Sequence, residues 1–189
     1  MDSPVTTELD WPHQYRIIPS EYPPINFFER LVDSALMDEL YYIESLTNDR
    51  LRDEAGDIAL LPREERVTGP GSSPVMAAFT HSSPACPSRF SAGRYGVYYA
   101  AKTLETAIAE TKYHRARFLA YTHEDAGEVA MRVYIGEVLK PLYDIRGDSY
   151  THLHHPDDWT PSQAFGQEIK TLNSWVSSTA PSEPQAASV

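Results

Sequence analysis

The residues with chemistry to offer gather between positions 89 and 110. Arg89-Phe90-Ser91 is followed by Gly93, Gly96, the pair Tyr98-Tyr99 and then Glu110. An arginine presents a planar fork that matches phosphate oxygens. A tyrosine gives a stacking face with a polar tip. A glutamate stabilises a developing cation or orients a nucleophile. A glycine-punctuated turn leading into a strand and then a capped helix can set these three groups around one cleft. The same residues also fit an ordinary reading: a salt-bridged arginine, packed aromatics and a solvated glutamate.

Three further groups carry less. His152-x-His154-His155, followed by Pro156-Asp157-Asp158, holds metal-type donors but no third ligand at a recognised spacing. A metal-dependent hydrolase built on His152, His154 and His155 is therefore the weakest option, and no metal site is expected. Cys86 stands in Pro84-Ala85-Cys86-Pro87 with no helix start or base to make it a thiolate. Gly69-Pro70-Gly71-Ser72-Ser73 lacks the Gly-Lys-Ser/Thr ending of a nucleotide phosphate loop and reads as a turn.

The elements that must position these groups follow from periodicity. Tyr15-Arg16-Ile17-Ile18 is a short strand stopped by Pro19, and Pro23-Pro24 is an extended link. Asn26 to Leu31 fits a helical turn or two. Asp33 or Ser34 caps a helix with Leu36, Leu40, Ile43 and Leu46 as its inner face, and a short helical piece follows over 48–55. Residues 62–96 form a long proline- and glycine-rich connection, with Val75 to Thr80 as a short strand inside it. Val97 to Ala101 reads as a strand. Thr103 caps a helix that turns Leu104, Ala107, Ile108 and Thr111 to one side. Glu128 to Val138 alternates as a half-buried strand with Val129, Met131, Val133 and Ile135 inward. Leu142 to Ile145 is a further strand. Thr160-Pro161 opens a helix with Phe165, Ile169 and Leu172 inside.

Composition bounds the class. The 189 residues fit one domain with a sizeable core. No run nears the ~20 apolar residues of a membrane span, and the start of the chain lacks the pattern of a secretory signal. One cysteine excludes a disulfide framework, and a reducing cytoplasm is the expected location. The net charge of −11 argues against direct nucleic-acid binding. That charge is uneven: residues 1–75 carry −9, residues 76–135 carry +2 and residues 136–189 carry −4. The basic middle third is where a small anionic ligand would sit, although such variation also arises by chance along a surface.

Tyr15-Arg16, Arg89-Phe90-Ser91, Gly96-Val97-Tyr98-Tyr99-Ala100-Ala101 and Thr106-Ala107-Ile108-Ala109-Glu110-Thr111 together resemble the RES-domain toxins of bacterial RES–Xre toxin–antitoxin systems. The resemblance implies an α+β fold, a small mixed β-sheet clasped by helices, similar to ADP-ribosyltransferases. It divides the chain into an N-terminal extension (1–14), a RES-type domain (15–175) and a disordered or aberrant tail (176–189). It implies a toxin that cleaves the nicotinamide–ribose bond of NAD by hydrolysis, phosphorolysis or ADP-ribosyl transfer, so NAD is substrate and no bound cofactor is expected. It makes Glu110 the group that stabilises the ribosyl cation. It implies that Arg89 binds the phosphates or ribose with help from Arg16, and that Tyr99 packs against the nicotinamide end. The implied partner is a small Xre-type helix-turn-helix antitoxin. The alternative is a degenerate toxin that only binds that antitoxin.

The family's serine is expected after the last helix, in a segment like Gly-Ile-Val-Tyr-x-Ser-Val-Arg-x-x-Gly-Gly-Glu-Cys-Val. After Trp175 this chain has no such segment. Back-translated and read one base out of frame, the tail permits Gly-Ile-Val-Tyr-Arg-Ser-Val-Arg-Thr-Ala-Gly-Gly-Glu-Cys. A single lost base after the Trp175 codon is the expectation.

Overall fold

A computed structural model describes residues 5–20, 27–30, 36–46, 55–122, 127–172 and 176–177. The element order is β1 (Thr6–Thr7), β2 (Gln14–Pro19), α1 (Phe27–Arg30), α2 (Met37–Ser45), α3 (Ser72–Thr80), α4 (Leu104–Thr122), β3 (Met131–Gly136), β4 (Leu142–Asp144), α5 (Thr160–Thr171) and β5 (Val176–Ser177). Single-turn 3-10 segments lie at Ile58–Leu60 and Arg63–Glu65, and a longer one at Asp148–His154. The α+β class with a small mixed sheet is what the sequence predicts. No described helix is long and apolar enough to cross a membrane.

The chain divides into two compact units. The first comprises residues 1–21, 100–161 and 165–189. Its mixed sheet has the order β1-β4-β5, antiparallel then parallel, and a second antiparallel pair joins β2 to β3. The register sets Tyr15 opposite Ile135, Arg16 opposite Tyr134 and Ile17 opposite Val133. Helix α4 packs on β2. Its start is held there by two backbone bonds of 2.9 Å between Tyr15 and Ala101, and by Thr103, whose hydroxyl accepts the Thr106 N–H at 3.2 Å. Ile145, Leu153, Phe165 and Ile169 are the buried apolar residues beside Ala101 and Ala107.

The second unit comprises residues 22–99 and 162–164. Its core is Phe27, Phe28, Met37, Ala55, Ile58, Leu61 and Met76, flanked by Tyr41 and Phe79. Phe27 meets Phe28 and Tyr41 edge to face, the favoured aromatic geometry, and the Tyr41 hydroxyl donates to the Gly56 carbonyl at 2.9 Å. Asp38 accepts from both Arg63 and Arg66 at 2.5 Å, tying α2 to the segment before α3.

Several expectations are corrected. Val75 to Thr80 is helical, not a strand: a short apolar run has no period of its own, and Gly71 in a left-handed conformation starts a helix there. Val97 to Ala100 joins no ladder among the described residues, and the segment's bridge is made by Ala101, to Tyr15. On α2 the stripe Leu36, Leu40, Ile43 and Leu46 faces outward, while Met37 and Tyr41 turn inward. Two registers of one amphipathic pattern competed, and the aromatic cluster around Phe27 selected the other. On β3 Val133 and Ile135 are exposed. On α4 Ile108 is exposed and Ala107 buried, and on α5 Leu172 is exposed. Strand β2 continues through Pro19, which pairs with Met131. Trp159, not Thr160, occupies the cap position of α5, and the Asp158 carboxylate takes the Thr160 N–H at 3.0 Å. The expectations for Pro23-Pro24, Asp33, Ser34, residues 48–54 and residues 178–189 lie outside the described residues. Residues 176–177, placed in the tail by the sequence, form strand β5 beside β4.

Candidate active site

Residues 88–99 form a tight hydroxyl-lined turn in the second unit. Ser88 and Ser91 exchange backbone bonds of 2.8 and 3.2 Å, which folds Arg89-Phe90 into a hairpin tip. The Ser91 hydroxyl donates to the Tyr95 carbonyl at 2.6 Å and accepts the Gly93 N–H at 3.1 Å. The Tyr95 hydroxyl donates to the Phe90 carbonyl at 2.5 Å. Tyr99 lies across the same tip: its hydroxyl accepts the Phe90 N–H at 3.3 Å and donates to the Ser88 hydroxyl at 3.0 Å. Phe90 and Ser91 are buried, so these bonds satisfy groups that water does not reach.

The glycines are dictated by close approach. A Cβ on Gly96 would run into the Ala78 carbonyl and the Phe79 Cα of α3, and one on Gly93 into the Ser83 carbonyl. Gly93 also takes a φ of +84°, which L side chains resist. The turn is thereby pressed against the protein on its inner side.

Helix α5 adds a brace. Its Ser162, fully buried, donates to the Arg89 carbonyl at 2.7 Å, and Gln163 donates through Nε2 to the Ser88 carbonyl at 3.0 Å. Both main-chain oxygens flanking the Arg89 guanidinium's point of attachment are therefore held by α5.

The electrostatics follow. Burial pushes the Tyr95 phenol up to about 12. Burial also raises the Tyr99 phenol, opposed by the bonds from Ser88 and Phe90 and by the positive charge of Arg89. Tyr99 nevertheless keeps 41% of its surface exposed. Its hydroxyl is tied to Ser88 and Phe90 while the residue as a whole stays partly open to solvent.

The structure thus brings Arg89 and Tyr99 together. Arg16 and Glu110 belong to the other unit. Arg16 is half-buried on β2 opposite Tyr134. Glu110 is half-exposed on α4, with His114 one turn on, 3.5 Å from its carboxylate.

Sequence reasoning missed Ser88, Tyr95, Ser162 and Gln163 as parts of this arrangement. The last two lie more than seventy positions from their partners, and no spacing signal could have paired them. The histidine cluster is engaged structurally. His154 Nε2 lies 2.8 Å from the Ile145 carbonyl, and His155 Nδ1 accepts the N–H groups of Asp157 and Asp158 at 3.2 and 2.9 Å. Among the described residues no three potential metal ligands converge. Cys86 is free and exposed.

Comparison with known proteins gives two matches. The family model described as RES domain matches residues 63–183. The protein y4oC of Sinorhizobium fredii, named only as uncharacterized, is 31% identical over 134 residues. Those residues are 70% of this chain and 56% of that protein, so the chain spans little more than half the length of the relative. No solved structure matches.

Proposed function

Because the chain belongs to the RES-domain family, we propose that it acts on NAD, breaking the bond between nicotinamide and ribose, as the toxin of a toxin–antitoxin pair. RES domains are associated with enzymes that act on NAD. The observation that carries the reading to this chain is the turn of residues 88–99. It carries Arg89, whose charge is felt by the Tyr99 phenol, and a Tyr99 hydroxyl tied to Ser88, and α5 braces the main-chain oxygens of Ser88 and Arg89.

The chemistry asks for those groups. Cleavage of an N-glycosidic bond to ribose passes through an oxocarbenium-like state, as in glycoside hydrolysis. Arg89 binds the pyrophosphate by charge-assisted hydrogen bonds. Tyr99, partly exposed, packs on the nicotinamide end. Glu110 stabilises the positive charge as it develops, a role that a preorganised carboxylate fills at a cost of roughly 100- to 1000-fold when it is removed. Arg16 assists in phosphate binding. A helix-turn-helix antitoxin of the Xre type is the partner.

The test is NAD consumption by the purified chain, with nicotinamide release followed directly. Glu110→Gln is expected to lower kcat by roughly 100-fold or more with KM little changed. Arg89→Ala is expected to raise KM. Wild-type protein that leaves NAD intact while holding an Xre-type antitoxin would instead identify a toxin that has kept only its binding role.

A further inference from the structure

Two helix faces of this chain lie uncovered, and their charges are opposite. On α2 the cap residue Leu36 forms an outer row with Leu40 and Ile43, while Met37 is buried on the other side. Steps of four and three put such side chains on one face of a helix. Leu36 and Ile43 leave 54% and 58% of their surface in water. Glu39 and Glu44 fall on either flank of the row, and α2 holds Asp38 besides and no basic residue. Asp38 is engaged by Arg63 and Arg66, so the two glutamates set the sign of the rim.

Helix α4 has the same plan with the other sign. Of its 19 residues only Ala107 is buried. Ile108, Ala109, Lys112, Tyr113, Ala116 and Ala120 follow one another along its exposed side. From Thr111 to Thr122 the helix holds Lys112, His114, Arg115 and Arg117 and no acid, because Glu105 and Glu110 stand in its first two turns. Asp157 pairs with Arg117 at 3.4 Å and leaves Lys112 and Arg115 in excess. Helices in proteins are held chiefly by packing an apolar face, and the last three turns of α4 bury no residue.

We propose that the chain associates with itself through these faces, α2 of one copy lying on the second half of α4 of the next. Charge selects the occupant. Pairing α2 with α2 would set glutamate rim against glutamate rim, and pairing the second halves of α4 would set cation against cation. Crossing the two brings opposite charges together around two apolar rows, the plan of a specific interface. The contact joins unlike surfaces, so it is heterologous. A single pair of helices makes a small interface, so the association is weak and depends on concentration. It does not depend on the NAD reading.

The test is sedimentation equilibrium of the full chain over a range of concentrations. The weight-average mass is expected to rise with concentration. Ile43→Glu and Ala116→Glu each put a carboxylate into the middle of one face at an exposed helical position, where the fold can carry it. Each alone is expected to raise Kd by roughly tenfold or more. Mixed in equal amounts, the two variants still hold one intact α2 and one intact α4 between them. The mixture is expected to form a 1:1 dimer that neither variant forms alone. Raising NaCl from about 0.05 to about 0.5 M is expected to weaken the wild-type association several-fold, as the rim charges are screened. Leu36→Glu and Lys112→Glu repeat the pair at second positions should a first variant lose its far-ultraviolet dichroism. Four results would each overturn the proposal. They are a constant wild-type mass, an association indifferent to salt, variants that fail to complement each other, and an association lost in Ala116→Glu but kept in Ile43→Glu. The last would point to α4 lying on α4.

Discussion

Replacing Ser162 by alanine tests whether α5 holds the Arg89 turn. The side chain is fully buried and spends its one hydrogen on the Arg89 carbonyl at 2.7 Å. Alanine fills nearly the same volume, so no cavity term enters. A lost hydrogen bond costs about 0.5–1.5 kcal/mol net, and a carbonyl left unsatisfied in a dry position adds up to a total of about 1–3 kcal/mol. For a chain of this length each kcal/mol moves Tm by roughly 2–4 °C. The expected fall is therefore about 2–12 °C by calorimetry or far-ultraviolet circular dichroism. In the NAD assay the loosened turn raises KM more than it lowers kcat. If about 1 kcal/mol of the loss reaches the bound state, kcat/KM falls roughly fivefold. Gln163→Ala, which frees the Ser88 carbonyl on a less buried edge, should show a smaller fall of the same kind. A Ser162→Ala protein with unchanged Tm and unchanged kcat/KM would refute the bracing argument.

Other outcomes follow from the same structure. Gly96→Ala places a methyl against the Ala78 carbonyl and the Phe79 backbone, and should destabilise by about 1–3 kcal/mol in urea unfolding. The Asp144 carboxyl is held at about 2 by bonds from the Arg146 side chain and backbone. Its folded value is depressed, so its stabilisation is present above about pH 4 and is lost as pH falls through 2. Asp144→Asn should have a lower Tm than wild type at neutral pH, with the difference shrinking toward pH 2 and vanishing below it. The difference will be modest, because both side chains are partly solvated. We further expect the nucleotide sequence after the Trp175 codon to spell the displaced Gly-Ile-Val-Tyr motif in the next frame. Codons incompatible with that motif dispose of the idea. A chain with the frame restored should melt at a higher temperature than this one.

What the sequence revealed depended on the range of the interaction. Strands β2 and β4, the Thr103 cap and the inner residues Phe165 and Ile169 of α5 were readable because each is a local pattern. The same was true of Arg89 and Tyr99, ten positions apart across one glycine turn. Where a pattern offered two solutions, tertiary packing chose. The α2 stripe of Leu36, Leu40 and Ile43 lost to Met37 and Tyr41 because the latter face the Phe27 cluster. Val75 to Thr80 is helix, where a run of five apolar residues ending in Thr80 does not distinguish helix from strand. Val97 to Ala100 has strand composition but finds no ladder partner among the described residues. The braces from Ser162 and Gln163 had no local trace, since serine and glutamine near a helix start have many uses.

Cys86 has a practical consequence. It is the one thiol of the chain, it is exposed, and it lies three positions before Arg89 on a segment pinned by its own N–H to the Ser83 carbonyl at 2.9 Å. A maleimide dye would attach there and nowhere else, with no engineered substitution. Its fluorescence on addition of NAD would give a direct readout of the binding proposed for Arg89. The protein carries its own anchoring point for an optical sensor.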